Sequence, residues 1–352
     1  MPPLSTIRVS NSRITAATAP RVAVFTGATQ GIGKATLTQL VGVGTPITIY
    51  LIGRNGSTQE GFLEELRASN QQAKIVWLEG QVSLLSETKR LCDEIKSREK
   101  SIDLLFFCAA YVALGGRRDT SEGYDTAITL AFWGRALFTS LLLPLLRNSA
   151  ASSSSSASAS PSYAPRVISI GAAGLESASV PLDDLDLKSP KIFGPLVCAK
   201  TCATMSTVFY DHLASSPGNE GVVFIYNHPG NVDTNILKNG WGEGSWGPTL
   251  VGLVQRLVWP LIRLFGVGGI TAAVSGERSL FLCTSAMFGG RGVSVDGCGR
   301  GRTLAGREMG GIFCVPENIE CIQPQEVVGK LFVNGGREKI LEKVDEVLKP
   351  YL

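Results

Sequence analysis

Acidic residues are missing from the start of the chain: no Asp or Glu precedes Glu60, whereas Arg8, Arg13, Arg21, Lys34 and Arg54 all do. An acid-free start has the composition of a transit peptide, but we read it as a basic region that serves an anionic ligand. Charge is scarce throughout, at 18%, and 33 basic residues nearly cancel 30 acidic ones. That balance argues against a nucleic-acid surface. Histidine is limited to His212 and His228, and the eight cysteines form no CxxC pair. Cys198 and Cys202 stand one helical turn apart without His or Cys partners at metal-site spacing, so no metal is expected. Most cysteines have apolar neighbours and the leader lacks a continuous apolar stretch suited to secretion, which implies reduced thiols and a cytoplasmic location.

No uncharged apolar run reaches the roughly 18 residues of a membrane span. The nearest, residues 249–270, is broken by Gln255, Arg256 and Arg263. It reads as a core-facing helix or as an amphipathic stretch in peripheral contact with a membrane or a greasy substrate.

Glycine is abundant, 40 of 352 residues, as in a protein of many tight turns. Near-continuous apolar runs at residues 22–26, 47–52, 74–78, 103–108, 166–170 and 222–226 predict buried strands. Helical patterns at 31–41, 61–68, 85–98, 124–146 and 195–214 separate them. Strands alternating with helices predict an α/β fold, a doubly wound parallel sheet with helices on both faces. A single Rossmann-like domain over residues 21–352 is expected behind a leader at 1–20. Its insertions are a solvated Ser-rich loop at 149–162, a substrate lid at 241–275 and a mobile glycine-rich loop at 289–311. An amphipathic helix at 324–352 closes the chain.

The first strand runs into Thr26-Gly27-Ala28-Thr29-Gln30-Gly31-Ile32-Gly33, and a helical pattern begins at once with Lys34. Glycines there permit a tight turn and let backbone N–H groups approach a pyrophosphate seated on the helix N-terminus. The placement between a buried strand and a helix gives the pattern its weight. About twenty residues on, where an acid would bind a ribose 2′-hydroxyl, the chain has Arg54, which suits the 2′-phosphate of NADP(H). Lys34 reads as a solvated helix lysine.

These residues resemble the TGxxxGIG turn of the short-chain dehydrogenase/reductase family, and the similarity extends over residues 22–285. The resemblance implies cofactor contacts from Gly27, Thr29, Gly31, Ile32 and Gly33. It also places Gln81 where the family has an adenine-binding Asp, and Cys108 within Phe107-Cys108-Ala109-Ala110, the counterpart of the NNAG segment. Pro229-Gly230-Asn231-Val232-Asp233-Thr234 matches the PGxVxT turn, so Val232 and Thr234 are implied to contact the nicotinamide. The chain is similar to a divergent branch from filamentous-fungal secondary metabolism, a likeness that includes Gly276-Glu277-Arg278 and the Asn11-bearing leader.

The family's catalytic Asn, Ser, Tyr and Lys align here with Ala131, Ala172, Leu196 and Lys200. Leucine cannot donate a proton, so the usual relay is absent. Lys200 is implied to hold the nicotinamide ribose. Arg135, a lone charge in an apolar helix, needs a partner: the cofactor, the substrate or a buried acid. Tyr111 and His228 are candidate proton donors, and Tyr111 joins Lys200 as the candidate catalytic set. The family often pairs through its two long helices, here 124–146 and 195–214, which implies a possible homodimer. The expected function is an NADP(H)-dependent oxidoreductase acting on a small hydrophobic substrate. The alternatives are a non-redox cyclase or isomerase, and an inactive NADP-binding protein on the same fold.

Overall fold

The computed structural model describes residues 2–155, 163–234, 236 and 269–352. Seven parallel strands form one sheet: β1 (Val22–Thr26), β2 (Ile47–Gly53), β3 (Ala73–Glu79), β4 (Leu104–Phe107), β5 (Arg166–Ile170), β6 (Val223–Asn227) and β9 (Ile312–Val315). Their order is β3-β2-β1-β4-β5-β6-β9. A short parallel pair, β7 (Val232–Asp233) and β8 (Ile270–Thr271), stands apart from the sheet. The central strands are buried on both faces, which is why their sequences are apolar without alternation. Chain order reverses direction between β1 and β4, so a crevice opens beyond the carboxyl ends of those two strands.

Helices α1 (Leu4–Ser12), α2 (Gly31–Gly42), α3 (Glu60–Ser69) and α7 (Ala272–Thr284) accompany α4 (Leu85–Arg98), α6 (Pro195–Ser215), α8 (Gln325–Val333) and α9 (Gly336–Leu348). The longest, α5, begins as Thr126–Ile128, passes through a π-helical turn at Thr129–Trp133 and continues as Gly134–Ser155. By length and mean hydropathy (1.5) residues Thr126–Ser152 could cross a membrane, yet 78% of the most apolar window is buried inside the fold. That is the setting of a core helix.

Several expectations change. The predicted leader is in part a helix: Ile7 of α1 is buried, Asn11 Nδ2 donates to the Glu277 carbonyl (2.9 Å), and Arg8 Nε donates to the Glu277 carboxylate (2.8 Å). Thus the leader and the Gly276-Glu277-Arg278 segment meet. The expected Ser-rich loop starts inside α5, where Ser149 is fully buried and donates to Asp103 Oδ1; residues 156–162 lie outside the described residues. Of the expected lid, residues 241–268 also lie outside them, whereas 270–275 form β8 and the first turn of α7. The single C-terminal helix is two, interrupted at Gly335 in the left-handed region (φ 68°).

The glycine-rich segment packs on the amino end of the sheet. Arg166, wholly buried, donates from Nη1 to the Leu282 carbonyl (2.9 Å) and from Nη2 to the Arg291 carbonyl (2.5 Å). A Cβ on Gly292 (φ 123°) would stand 2.1 Å from the Thr284 carbonyl oxygen, so this approach admits only glycine.

The two long helices implied for homodimer pairing are buried through their middles. Every residue from 132 to 139 in α5 and from 201 to 210 in α6 is buried. Ile340, Val344, Val347 and Leu348 of α9 join the same apolar cluster as Phe132 and Phe209.

Candidate active site

β1 delivers the chain into the crevice through Gly27 (φ 72°) and Gly31 (φ 57°), backbone conformations that favour glycine. A Cβ on Gly27 would lie 2.2 Å from the Ala109 amide nitrogen, and one on Gly33 would lie 2.3 Å from the Gly27 carbonyl oxygen. The loops leaving β1 and β4 therefore touch backbone to backbone. Helix α2 starts there with no side-chain cap and no acid in its first turn. Its N-terminal N–H groups and the positive end of its dipole face the crevice.

A cavity of about 870 Å³ occupies this place. Gly27, Thr29, Gly31 and Ile32 form one wall, and Arg54 and Gln81, just past β2 and β3, line the far end. Cys108 and Tyr111, past β4, face Thr234 across the turn after β7. Burial pushes the Cys108 thiol up to about 11, so it stays neutral at physiological pH. Arg54 is exposed and has no hydrogen-bond or ion-pair partner among the described residues. These features fit a dinucleotide: an uncapped helix N-terminus for its pyrophosphate, and a cation at the ribose end.

Other expected residues are placed differently. Gly33 packs beneath the turn rather than lining the cavity, and Val232 pairs in β7 behind Thr234. Lys200 is half-buried on α6 and outside the cavity wall, one turn from Leu196, which is 59% exposed. Arg135 meets no acid among the described residues. Its Nη1 donates to Ser169 Oγ (2.8 Å) and the Ile170 carbonyl (2.6 Å), Nη2 to the Ala109 carbonyl (3.0 Å), and Nε to the Leu130 carbonyl (2.8 Å). The guanidinium ties the ends of β4 and β5 together beneath the cavity, so its partners are carbonyl dipoles. His228 Nδ1 stands 3.4 Å from the Gly171 carbonyl oxygen.

Two residues with no site role in the sequence gain a place. Tyr226 is buried at the end of β6, its hydroxyl accepting from the Ala172 amide (3.0 Å). A Cβ on Gly171 would fall 2.6 Å from that hydroxyl oxygen, so the phenol fills the space beside Ala172. Nothing in an apolar strand pattern marks it. Arg118, in the connection from β4 to α5, also lines the cavity, its guanidinium 4.8 Å above the Tyr111 ring. Burial raises the Tyr111 phenol pKa and Arg118 opposes the rise.

Glu176, buried just past β5, accepts from Thr207 Oγ1 (2.8 Å) and the Gly174 amide (2.7 Å), and burial raises its pKa. A carboxyl raised in the folded state favours folding below its unfolded pKa and loses that contribution as pH rises through the folded value. Glu176→Gln keeps an acceptor for one donor and offers a donor to the Thr207 hydroxyl. It is expected to raise the urea midpoint at neutral pH and leave it unchanged below the ordinary Glu pKa of about 4.3. An equal shift at both pH values would assign the effect to packing.

Fold and crevice together define a dinucleotide-binding α/β protein. Residues 21–156 match the short chain dehydrogenase family. The chain is 36% identical over 286 residues to oxidoreductase AN1596 of Emericella nidulans, covering 81% of this chain and 78% of that protein. It is 31% identical over 288 residues to oxidoreductase andH of Emericella variicolor, covering 82% and 77%. Among solved structures, the Pseudomonas aeruginosa RhlG/NADP complex superposes with a TM-score of 0.53 at 17% identity, over 77% of this chain and 92% of that one. The chain belongs to the short-chain dehydrogenase/reductase family, within a branch of fungal oxidoreductases.

Proposed function

We propose that the chain is an NADP(H)-dependent oxidoreductase that acts on a hydrophobic intermediate of fungal secondary metabolism, in the cytoplasm, with a non-standard catalytic site. The observation that carries the cofactor choice is Arg54: an unpartnered guanidinium on the cavity wall just past β2, where an acid would select the 2′-hydroxyl of NAD. Arg54→Ala is expected to weaken NADPH about tenfold, or about 1.4 kcal/mol, with NADH unaffected. Fluorescence titration with both cofactors measures this, and an intact NADPH preference in the variant refutes the assignment.

The bound dinucleotide supplies hydride transfer. The chain's own residues bind and orient it: α2 through its N–H groups and Thr234 against Gly31, with Lys200, which lies outside the cavity wall, reaching in from α6 toward the nicotinamide ribose. Leu196 and Ala172 cannot move a proton, so the electrophile is either activated beforehand, as an iminium is, or protonated from another wall. Tyr111 is the phenol that lines the cavity, and its raised pKa keeps it protonated at neutral pH. The apolar Ile236 on the same wall suits a greasy substrate.

Leu196 at the proton-donor position also favours a second reading, a cyclase or isomerase that uses the pocket to fold its substrate. Product formed in step with a change in nicotinamide absorbance supports the oxidoreductase; conversion without that change supports the second reading. NADPH binding with no turnover would mark an inactive NADP-binding protein.

A further inference from the structure

Two arginines stand side by side at the start of the loop leading into α5, and their fates differ. Arg117 is spent within the fold: Nη1 donates to the Asp186 and Leu187 carbonyls (2.5 and 2.9 Å) and Nη2 pairs with Asp119 (2.7 Å). Arg118 has its backbone held equally firmly. Its amide donates to Asp125 Oδ2 (2.8 Å), and its carbonyl accepts from the Thr126 amide (2.8 Å) and Thr126 Oγ1 (2.9 Å). Its guanidinium, however, has buried Nε and Nη2 atoms with no hydrogen-bond partner.

Those two nitrogens form the side edge of the guanidinium, the fork that matches the two oxygens of a carboxylate. The acids of the loop are engaged elsewhere. Asp119 pairs with Arg117, and Glu122 caps α4 by accepting from the Leu85 and Ser86 amides (2.6 and 2.9 Å). Asp125 Oδ1 accepts from the Ala127 and Ile128 amides (2.9 and 3.1 Å). Next to the open fork lies the Tyr111 hydroxyl, also buried and without a well-formed hydrogen bond, with Thr126 and Arg118 beside it. Both Arg118 and Tyr111 line the large cavity.

A buried fork that has the Tyr111 hydroxyl beside it but no well-formed hydrogen bond stays under-satisfied until an anion meets it. The phosphates of the dinucleotide already have the α2 N-terminus and Arg54, so Arg118 is a third anion-binding group in a cavity whose cofactor needs two. We propose that Arg118, with the Tyr111 hydroxyl, binds a carboxylate of the substrate, so that the hydrophobic intermediate carries an acid group. This rests on the reading of the chain as an NADP(H)-dependent oxidoreductase. The fork engages the substrate by turning, with the Tyr111 ring, toward the cavity that both side chains line. The contact is side-on and dehydrated, and thus selective for a planar anion over its amide.

Benzoate and its neutral analogue benzamide are the probes, titrated by calorimetry against the full chain with and without saturating NADP⁺. Benzoate is expected to bind in both states, with benzamide about tenfold weaker or more. Arg118→Gln should lose about tenfold or more in benzoate affinity while its NADPH affinity stays that of the parent. Arg118→Lys, which keeps the charge without the fork, should recover only part of the loss, and circular dichroism of both variants reports the fold. Absent benzoate binding, equal binding of the two probes, or an unchanged Arg118→Gln would overturn the proposal. So would loss of NADPH affinity in Arg118→Gln together with competition between benzoate and NADP⁺, because the anion bound by Arg118 would then be a cofactor phosphate. Failure of the parent to bind NADPH would sink the oxidoreductase reading instead, and benzoate binding to the cofactor-free chain would still report on Arg118.

Discussion

Gly27→Ala is expected to abolish dinucleotide binding, weakening NADPH by about a hundredfold or more, about 2.8 kcal/mol. Alanine at φ 72° carries a left-handed cost of roughly 1–2 kcal/mol. The larger cost is steric: the new methyl would sit 2.2 Å from the Ala109 amide nitrogen and 2.5 Å from its Cα. The obstacle is backbone, which cannot rotate aside, so the loops leaving β1 and β4 must part and the cleft loses its shape. Gly31→Ala carries the same left-handed cost, at φ 57°, and so isolates the backbone clash. Its methyl meets only the Thr234 side chain, at 3.1 Å, and a methyl group can yield where a peptide cannot. Thermal melting of the two variants should separate widely, with Gly27→Ala the less stable, and parental NADPH binding by Gly27→Ala would show that the close approach does not control the site.

Arg135→Met is expected to cost about 3 kcal/mol of stability, read from urea unfolding. Methionine preserves much of the volume but strands the carbonyls of Ala109 and Ile170 and the Ser169 hydroxyl at the buried ends of β4 and β5. Arg135→Lys should recover little, since one ammonium on a flexible stem cannot span two strand ends as a planar fork does. If Arg135→Met instead kept its stability and lost only cofactor affinity, the guanidinium would be a ligand contact and not a brace.

The contrast between Arg54 and Arg135 shows what could be read in advance. Arg54 stands just past a strand of unmistakable pattern, at a spacing from the glycine turn that a parallel sheet converts directly into position, and it does line the cavity. Arg135 lies in the same apolar setting as any core helix residue. That two neighbouring strands would end on carbonyls within its reach depends on how α5 packs on the sheet, which periodicity cannot report. β9 escaped notice for a related reason: its four residues, all buried, are too short to assert a pattern beside a glycine-rich stretch. Arg118 escaped because a loop arginine looks solvated until the acids around it are seen bonding to backbone amides. Ser149 shows the opposite error, a serine read as solvated that Asp103 draws into the core.

The C-terminal helix α9, laid across α5 and α6, bears on how several such proteins coexist in one cell. Where long helices pair between chains, related sequences expressed together can exchange subunits and form mixed assemblies. Here a segment of the same polypeptide occupies part of the apolar surface of those helices. To the extent that α9 keeps copies from pairing there, a duplicated copy can diverge in its pocket without interfering with the chain from which it arose.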